Sequence, residues 1–224
     1  MDSTSQVVDV ADSGLQAFFR DVFMRMTVAL GISAVAAFVG STMPFLYTGG
    51  LLTWLIILSP LAFVLFMSFG AQKFSTNAII LMFLGFAVAQ GLSMGSLALV
   101  FTGTSIFTAF VVAAAVFATF AVIGFTTKRD LTGMGTFLFV GLIGIIIASL
   151  VNIWLALPAL AATINVLAVF IFVGLTAYDV QKLKEMYLTG QDDGKTRTLG
   201  ALSLYLDFIN IFIALLQLFG TKRE

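Results

Sequence analysis

Three long runs without a single charge constrain this chain more than anything else in it. Residues 26–72, 74–127 and 131–178 contain no Asp, Glu, Lys or Arg, giving uncharged stretches of 47, 54 and 48 residues. A helix that crosses the hydrocarbon core of a bilayer needs about 20 predominantly apolar residues. Each run therefore has room for two crossings and a short uncharged turn. Backbone inside lipid must satisfy its own hydrogen bonds, which helices do within one segment. The composition agrees: of 224 residues 60% are hydrophobic and only 10% charged, where a soluble domain carries about 25% charged residues. The expected class is an all-α polytopic membrane protein.

Turn signals fall where such hairpins need them. The first run breaks at residues 43–50, which include Pro44, Gly49 and Gly50; the second breaks at 101–105; the third breaks at 152–158, around Asn152 and Pro158. Seven helices follow, over about 22–43, 51–71, 77–100, 105–126, 134–151, 160–182 and 199–219, with Pro60 expected to kink the second. Residues 1–20 read as a polar N-terminal tail and 21–224 as one seven-helix membrane domain. The tail lacks the basic start of a secretory signal peptide, so the first apolar segment is expected to stay as a span. Lys and Arg cluster before helix one, after helices two and four, and between helices six and seven. The positive-inside rule then puts the N terminus in the cytoplasm and, after seven crossings, the C terminus outside. Lys222 and Arg223 run against that assignment.

Absences narrow the chemistry. The chain has no cysteine and no histidine, which excludes disulfides, a thiol nucleophile and a Ser–His dyad. Any response to pH near neutrality must come from carboxylates in unusual surroundings, because the usual switch residue is missing. The net charge of zero gives no case for nucleic acid. An aspartyl intramembrane protease would use two aspartates on adjacent helices; its local signatures are half met, since Tyr178 precedes Asp179 but Leu206 precedes Asp207. No enzymatic activity is expected.

The last apolar segment, ALSLYLDFINIFIALLQLF at 201–219, carries the acid Asp207 in its interior. Ser203, Asp207, Asn210, Ala214 and Gln217 follow one another at steps of four and three, so they share one helix face. A carboxylate at the centre of a spanning helix costs about 2.5–3.5 kcal/mol on insertion scales and needs an internal partner or water. The candidate partner is Asp179, in VGLTAYDVQKLK, expected near the cytoplasmic end of helix six, with Asp207 about eight residues into helix seven. Two carboxylates in a dry site cannot both ionise cheaply, so one should hold a proton or a cation should sit between them. The plainer alternatives are that a protonated acid merely ties helix seven to a neighbour, or that Asp179 lies at the water interface.

The other polar residues have two readings each. Ser203, Asn210 and Gln217 could line a hydrated path or serve as interhelical hydrogen-bond glue. Asn165, fourteen residues before Asp179 on the same face, could extend the path, and Gln90 with Ser93 adds polar groups in helix three. Gly91 and Gly95 have the GxxxG spacing of close helix contact, and Gly141 and Gly144 are similar. Lys73 either snorkels to the interface or latches onto an acid from the end of helix two. Asp21 and Arg25 read as an ordinary i, i+4 pair, and Asp192 and Asp193 as a solvated loop.

The segments GLTAYDVQKL at 174–183 and ALSLYLDFINI at 201–211, together with TTKRDL at 126–131 and Gly91, resemble the Bax-inhibitor family, the transmembrane Bax inhibitor motif proteins, whose members include bacterial membrane proteins. The resemblance covers the chain from about residue 14 onward. It implies a seven-helix fold with the last helix at the centre, in a bacterial cytoplasmic (inner) membrane. It also implies that Asp179 and Asp207 form a pH-sensing pair that opens or closes a calcium leak, holding Ca2+ transiently as the transported ion, with H+ as the effector. Lys73 is the match to a basic residue that assists closure in some members. Some relatives restrain a membrane protease, so a non-transporting regulator that binds such a partner, through the tail, is the alternative. The resemblance implies no cofactor, and the lipid bilayer is the constant partner.

Overall fold

The computed structural model describes residues 3–70 and 72–223, with side chains from Ser13 onward. Seven helices account for nearly all of it: α1 (Ser3–Ser41), α2 (Leu51–Gly70), α3 (Thr76–Val100), α4 (Gly103–Thr126), α5 (Thr132–Leu155), α6 (Pro158–Leu188) and α7 (Gly194–Phe219), with one 3-10 turn (Pro44–Tyr47) after α1. All seven are long and apolar enough to cross a membrane. The large side chains left on their surfaces, such as Phe69, Phe137 and Trp154, would be a liability in water and are at home in lipid. This is an all-α polytopic membrane protein. α7 is the inner helix by burial: 72% of its most apolar window is enclosed, against 39% or less for each of the others.

Helix ends follow local chemistry. Thr102 caps α4, its hydroxyl accepting from the Ser105 amide at 3.3 Å. α6 opens on Pro158, whose missing N–H would be unpaired in a first turn anyway. It closes on Gly190, whose φ of +80° suits glycine. The Gly190 amide bonds to the Tyr187 carbonyl and the Gln191 amide reaches back to Met186, the paired bonds of a Schellman stop. Asp193 then caps α7: its Oδ1 accepts from the Thr196 amide at 2.7 Å.

Three expected boundaries are corrected. α1 begins at Ser3, so within the described residues the expected tail 1–20 is the opening of a helix, and Leu15, Phe18 and Phe19 in it are buried. Residues 1 and 2, and the side chains of 3–12, lie outside the described residues. α6 runs six residues past the expected end at 182, and α7 starts five before the expected 199.

The chain forms two compact units. The first comprises Met1–Leu99 and Leu183–Leu202. Here Gly91 of α3 lies against the backbone of Ser33 and the methyl of Ala36 on α1, and the Ser33 hydroxyl donates to the Ala87 carbonyl at 2.7 Å. The Tyr47 phenol, pushed up by burial and so kept as a donor, gives its proton to the Leu92 carbonyl at 2.6 Å, beside Gly40 and Gly95. Midway along α1, Asp21 accepts from Arg25 at 3.0 Å and from Arg197 at 3.2 Å. Arg25 also donates to the Thr198 hydroxyl at 2.8 Å. Arg197 grips Asp192 with two nitrogens, at 2.7 and 2.9 Å, and lies over the Phe18 ring at 5.6 Å. The pair Asp21–Arg25 is thus part of a five-residue network rather than a local helix pair.

The second unit comprises Val100–Lys182 and Ser203–Glu224. Phe208 and Phe212 of α7 meet Phe110 of α4 edge-on, with centroids 5.3 and 6.3 Å apart, and Phe117 meets Phe208 at 5.8 Å. Gly124 of α4 rests on the backbone of Ala177, and Gly135 of α5 under the Tyr178 ring. Buried Gln181 accepts from the Leu131 amide and donates to the Arg129 carbonyl, both at 2.8 Å, which pins the α4–α5 connection to α6. After α7, the Arg223 amide bonds to the Val100 carbonyl at 2.8 Å, its side chain to the Phe101 carbonyl at 3.1 Å, and the Thr102 amide to the Thr221 carbonyl at 3.0 Å. The residues after α7 therefore lie beside Val100, Phe101 and Thr102, and the Arg223 side chain is spent on a backbone carbonyl there.

Candidate functional site

α6 and α7 face each other in the second unit. The Ser203 hydroxyl of α7 donates to Asp179 Oδ2 of α6. Fourteen residues away on both helices, the Asn165 amide donates to the Gln217 carbonyl oxygen at 3.0 Å. Equal intervals with opposite chain directions fix the two helices as antiparallel neighbours in constant register. The polar stripe read at steps of four and three is thus the α7 side of this seam.

Asp207 lies one turn beyond Ser203, which brings it within range of Asp179: the charge of Asp179 is felt at Asp207. Asp207 is 4% exposed, and its Oδ2 has no hydrogen-bond partner among the described residues. An uncompensated acceptor at such a depth is expensive unless something occupies it. Asp179 is half-buried, and the charge of Lys182, one turn along α6, reaches it. Lys182 also sits 5.8 Å from the Tyr178 ring centroid.

Both acids stand farther from the ends of their helices than expected. Asp179 stands nine residues before the end of α6, about 13 Å at 1.5 Å per residue, and Asp207 thirteen residues past the start of α7, about 20 Å. Both are interior to their helices because α6 and α7 each continue beyond the apolar segment that the sequence marks.

The remaining candidates divide. Ser203, Asn165 and Gln217 belong to the seam, with Gln217 exposed. Asn210 donates to the Leu206 carbonyl of its own helix at 2.8 Å, so its amide is tied to α7. Gln90 on α3, half-buried, and Lys73, exposed in the α2–α3 connection, belong to the first unit. The residue whose role the sequence left open is Ser203: its place on the stripe was legible, its partner was not, because a stripe does not reveal what faces it.

Two carboxyls and a hydroxyl form a set of hard oxygen donors, suited to a proton or a group-2 cation and not to a soft metal. No group of three or more His, Cys, Asp or Glu side chains occurs among the described residues, so no ready-made cage for a stored metal is seen there.

Comparison with known proteins agrees with this architecture. The profile of the family described as "Inhibitor of apoptosis-promoting Bax1" matches residues 15–224. The inner membrane protein YbhL of Escherichia coli (strain K12) is 41% identical over 220 residues, covering 94% of each chain. Uncharacterised proteins of Rickettsia prowazekii and Borreliella burgdorferi are 38% and 37% identical, covering 95% and 92% of this chain and 93% of their own.

Proposed function

This chain belongs to the Bax-inhibitor family, and from that membership and its seam of acids we propose a pH-sensitive cation leak, with Ca2+ as the transported ion, in the cytoplasmic membrane. The observation that carries the reading is the orphaned Asp207 Oδ2, enclosed within reach of the Asp179 charge. At low dielectric two like charges repel strongly, so the closed state keeps a proton on the pair. Loss of that proton leaves either repulsion that rearranges the helices or a cation that neutralises both acids. Ca2+ suits such a place because it takes oxygen ligands in flexible geometry. The basic connections orient the N terminus to the cytoplasm and the C terminus outside. The inner-membrane description of the Escherichia coli relative supports the location. Lys73 is retained only as a residue that could meet an acid after a rearrangement.

The test is Ca2+ flux into liposomes holding the purified full chain, measured across pH for wild type, Asp179→Asn and Asp207→Asn. The expected result is a pH-dependent wild-type flux whose profile flattens in both variants. Identical profiles in all three overturn the reading. A partner-binding regulator without transport is the weaker alternative, since Leu15, Phe18 and Phe19 of the segment that would dock a partner are buried.

A further inference from the structure

We propose that Ser203 is a positioning residue of the acid pair: its hydroxyl claims Asp179, keeps the two carboxyls from bonding to each other, and thereby sets the pH at which the pair gives up its last proton. The inference deepens the leak reading and rests on it for its physiological meaning, though not for its geometry.

Ser203 and Asp207 are four residues apart on α7, so their side chains stand one above the other on one face. Ser203 donates to Asp179 Oδ2, while Asp207 Oδ2 has no hydrogen-bond partner among the described residues. A hydroxyl has a single proton to give. Spent on Asp179, it favours the charged form of that carboxyl, because hydrogen bonds to ionised acceptors are the strong ones. Among the described residues, three groups act on Asp179: the Ser203 hydroxyl and the Asp207 acid from α7, and the Lys182 charge from its own helix. Burial works against a negative Asp179, as does the neighbouring Asp207, while Ser203 and Lys182 support it. Removing the hydroxyl leaves Lys182 as the support that remains. Asp179 is then free to turn to Asp207, and the two carboxyls can share a proton directly.

The consequence has a sign. Without the Ser203 hydroxyl the pair holds its proton more tightly, so its transition moves to higher pH. A hydrogen bond to a charged group is of a size that corresponds to a shift of about one pH unit.

The experiment is infrared titration of the protonated carboxyl signal in the full chain in lipid, for wild type, Ser203→Ala, Ser203→Thr and Ser203→Val. Asp179→Asn and Asp207→Asn identify the band. Threonine and valine have nearly the same shape and differ in the hydroxyl. The expected result is a wild-type midpoint in Ser203→Thr and a midpoint raised by about one unit in Ser203→Ala and Ser203→Val. Equal midpoints in Ser203→Thr and Ser203→Val overturn the proposal, as does a downward shift in either variant lacking the hydroxyl. Flux is read separately on the same samples: a chain that never passes Ca2+ defeats the leak reading and leaves the carboxyl titration standing, and unmoved midpoints with normal flux do the reverse.

Discussion

The Asn165 amide donates to the Gln217 carbonyl at 3.0 Å, the same number of residues along α6 from Asp179 as Gln217 is along α7 from Ser203. One polar contact therefore holds the register for the other. Interhelical hydrogen bonds of this kind average about 0.6 kcal/mol in membranes. Asn165→Ala should lower stability by about that amount in a detergent-denaturant titration, and the pH midpoint of the carboxyl pair should not move. A large displacement of the midpoint would make Asn165 part of the titrating site.

Glycine substitutions should split by what a new methyl meets. At Gly91 a Cβ would lie 2.7 Å from the Ala36 methyl and 2.8 Å from the Ser33 Cα, and backbone cannot step aside. Gly91→Ala is expected to destabilise by roughly 1–3 kcal/mol. At Gly144 a Cβ meets nothing within 4 Å. Gly144→Ala should be neutral or stabilising by up to about 1 kcal/mol, the ordinary helix preference. The same unfolding assay compares the two, and equal losses would refute the packing argument.

Asp193 makes α7 sensitive to acid. Its carboxyl is held below the usual range by the Thr196 amide and then by the Thr196 side chain. A group whose value is depressed by folding contributes stability above its unfolded value of about 3.9, and loses it as pH falls through the folded one. Asp193→Ala should therefore cost about 1 kcal/mol at neutral pH. The gap to wild type should narrow below about pH 4, as the carboxyl takes up its proton. Unfolding curves at pH 7 and pH 3 check this, and an undiminished gap at pH 3 would be inconsistent with the cap.

Arg197 joins Asp21, Asp192 and the Phe18 ring. Exposed pairs contribute about 0.2–1 kcal/mol each, and lysine cannot reproduce the two-nitrogen grip on Asp192. Arg197→Ala should lower stability by about 1–2 kcal/mol, with Arg197→Lys recovering less than half. A double-mutant cycle with Asp21→Asn should return a coupling of at least about 0.5 kcal/mol, reduced in 1 M salt. Strict additivity would reduce the network to independent contacts.

The helices themselves were legible because charge is so scarce: each uncharged run does resolve into two helices, and the breaks at Pro44, Thr102 and Pro158 stand within a few residues of the observed connections. The errors share one cause. Lys182, Lys184 and Glu185 read as loop because lipid rejects charge, yet a helix continues past the apolar zone wherever its own hydrogen bonds and a good stop, here Gly190, allow it. Asp179 was accordingly placed too close to an end. The polar stripe on α7 was readable from spacing alone, and the scarcity of charge singled out its acid Asp207 and the candidate partner Asp179 on α6. What faces the stripe was not readable, so Asn210 was grouped with Ser203 although its amide bonds to its own helix. The contact of Asp21 with Arg197, 176 residues apart, leaves no local trace.

Equal spacing on α6 and α7 also dictates where this chain can change its length. One residue inserted between Asn165 and Asp179, or between Ser203 and Gln217, would turn everything beyond it by about 100° and slide it by 1.5 Å, so that only one of the two polar contacts could survive. Substitution leaves that register intact, whereas an insertion gives up one of the two contacts. Gain or loss of residues belongs in the short connection after Gly190, where a turn absorbs it before Asp193 starts the next helix.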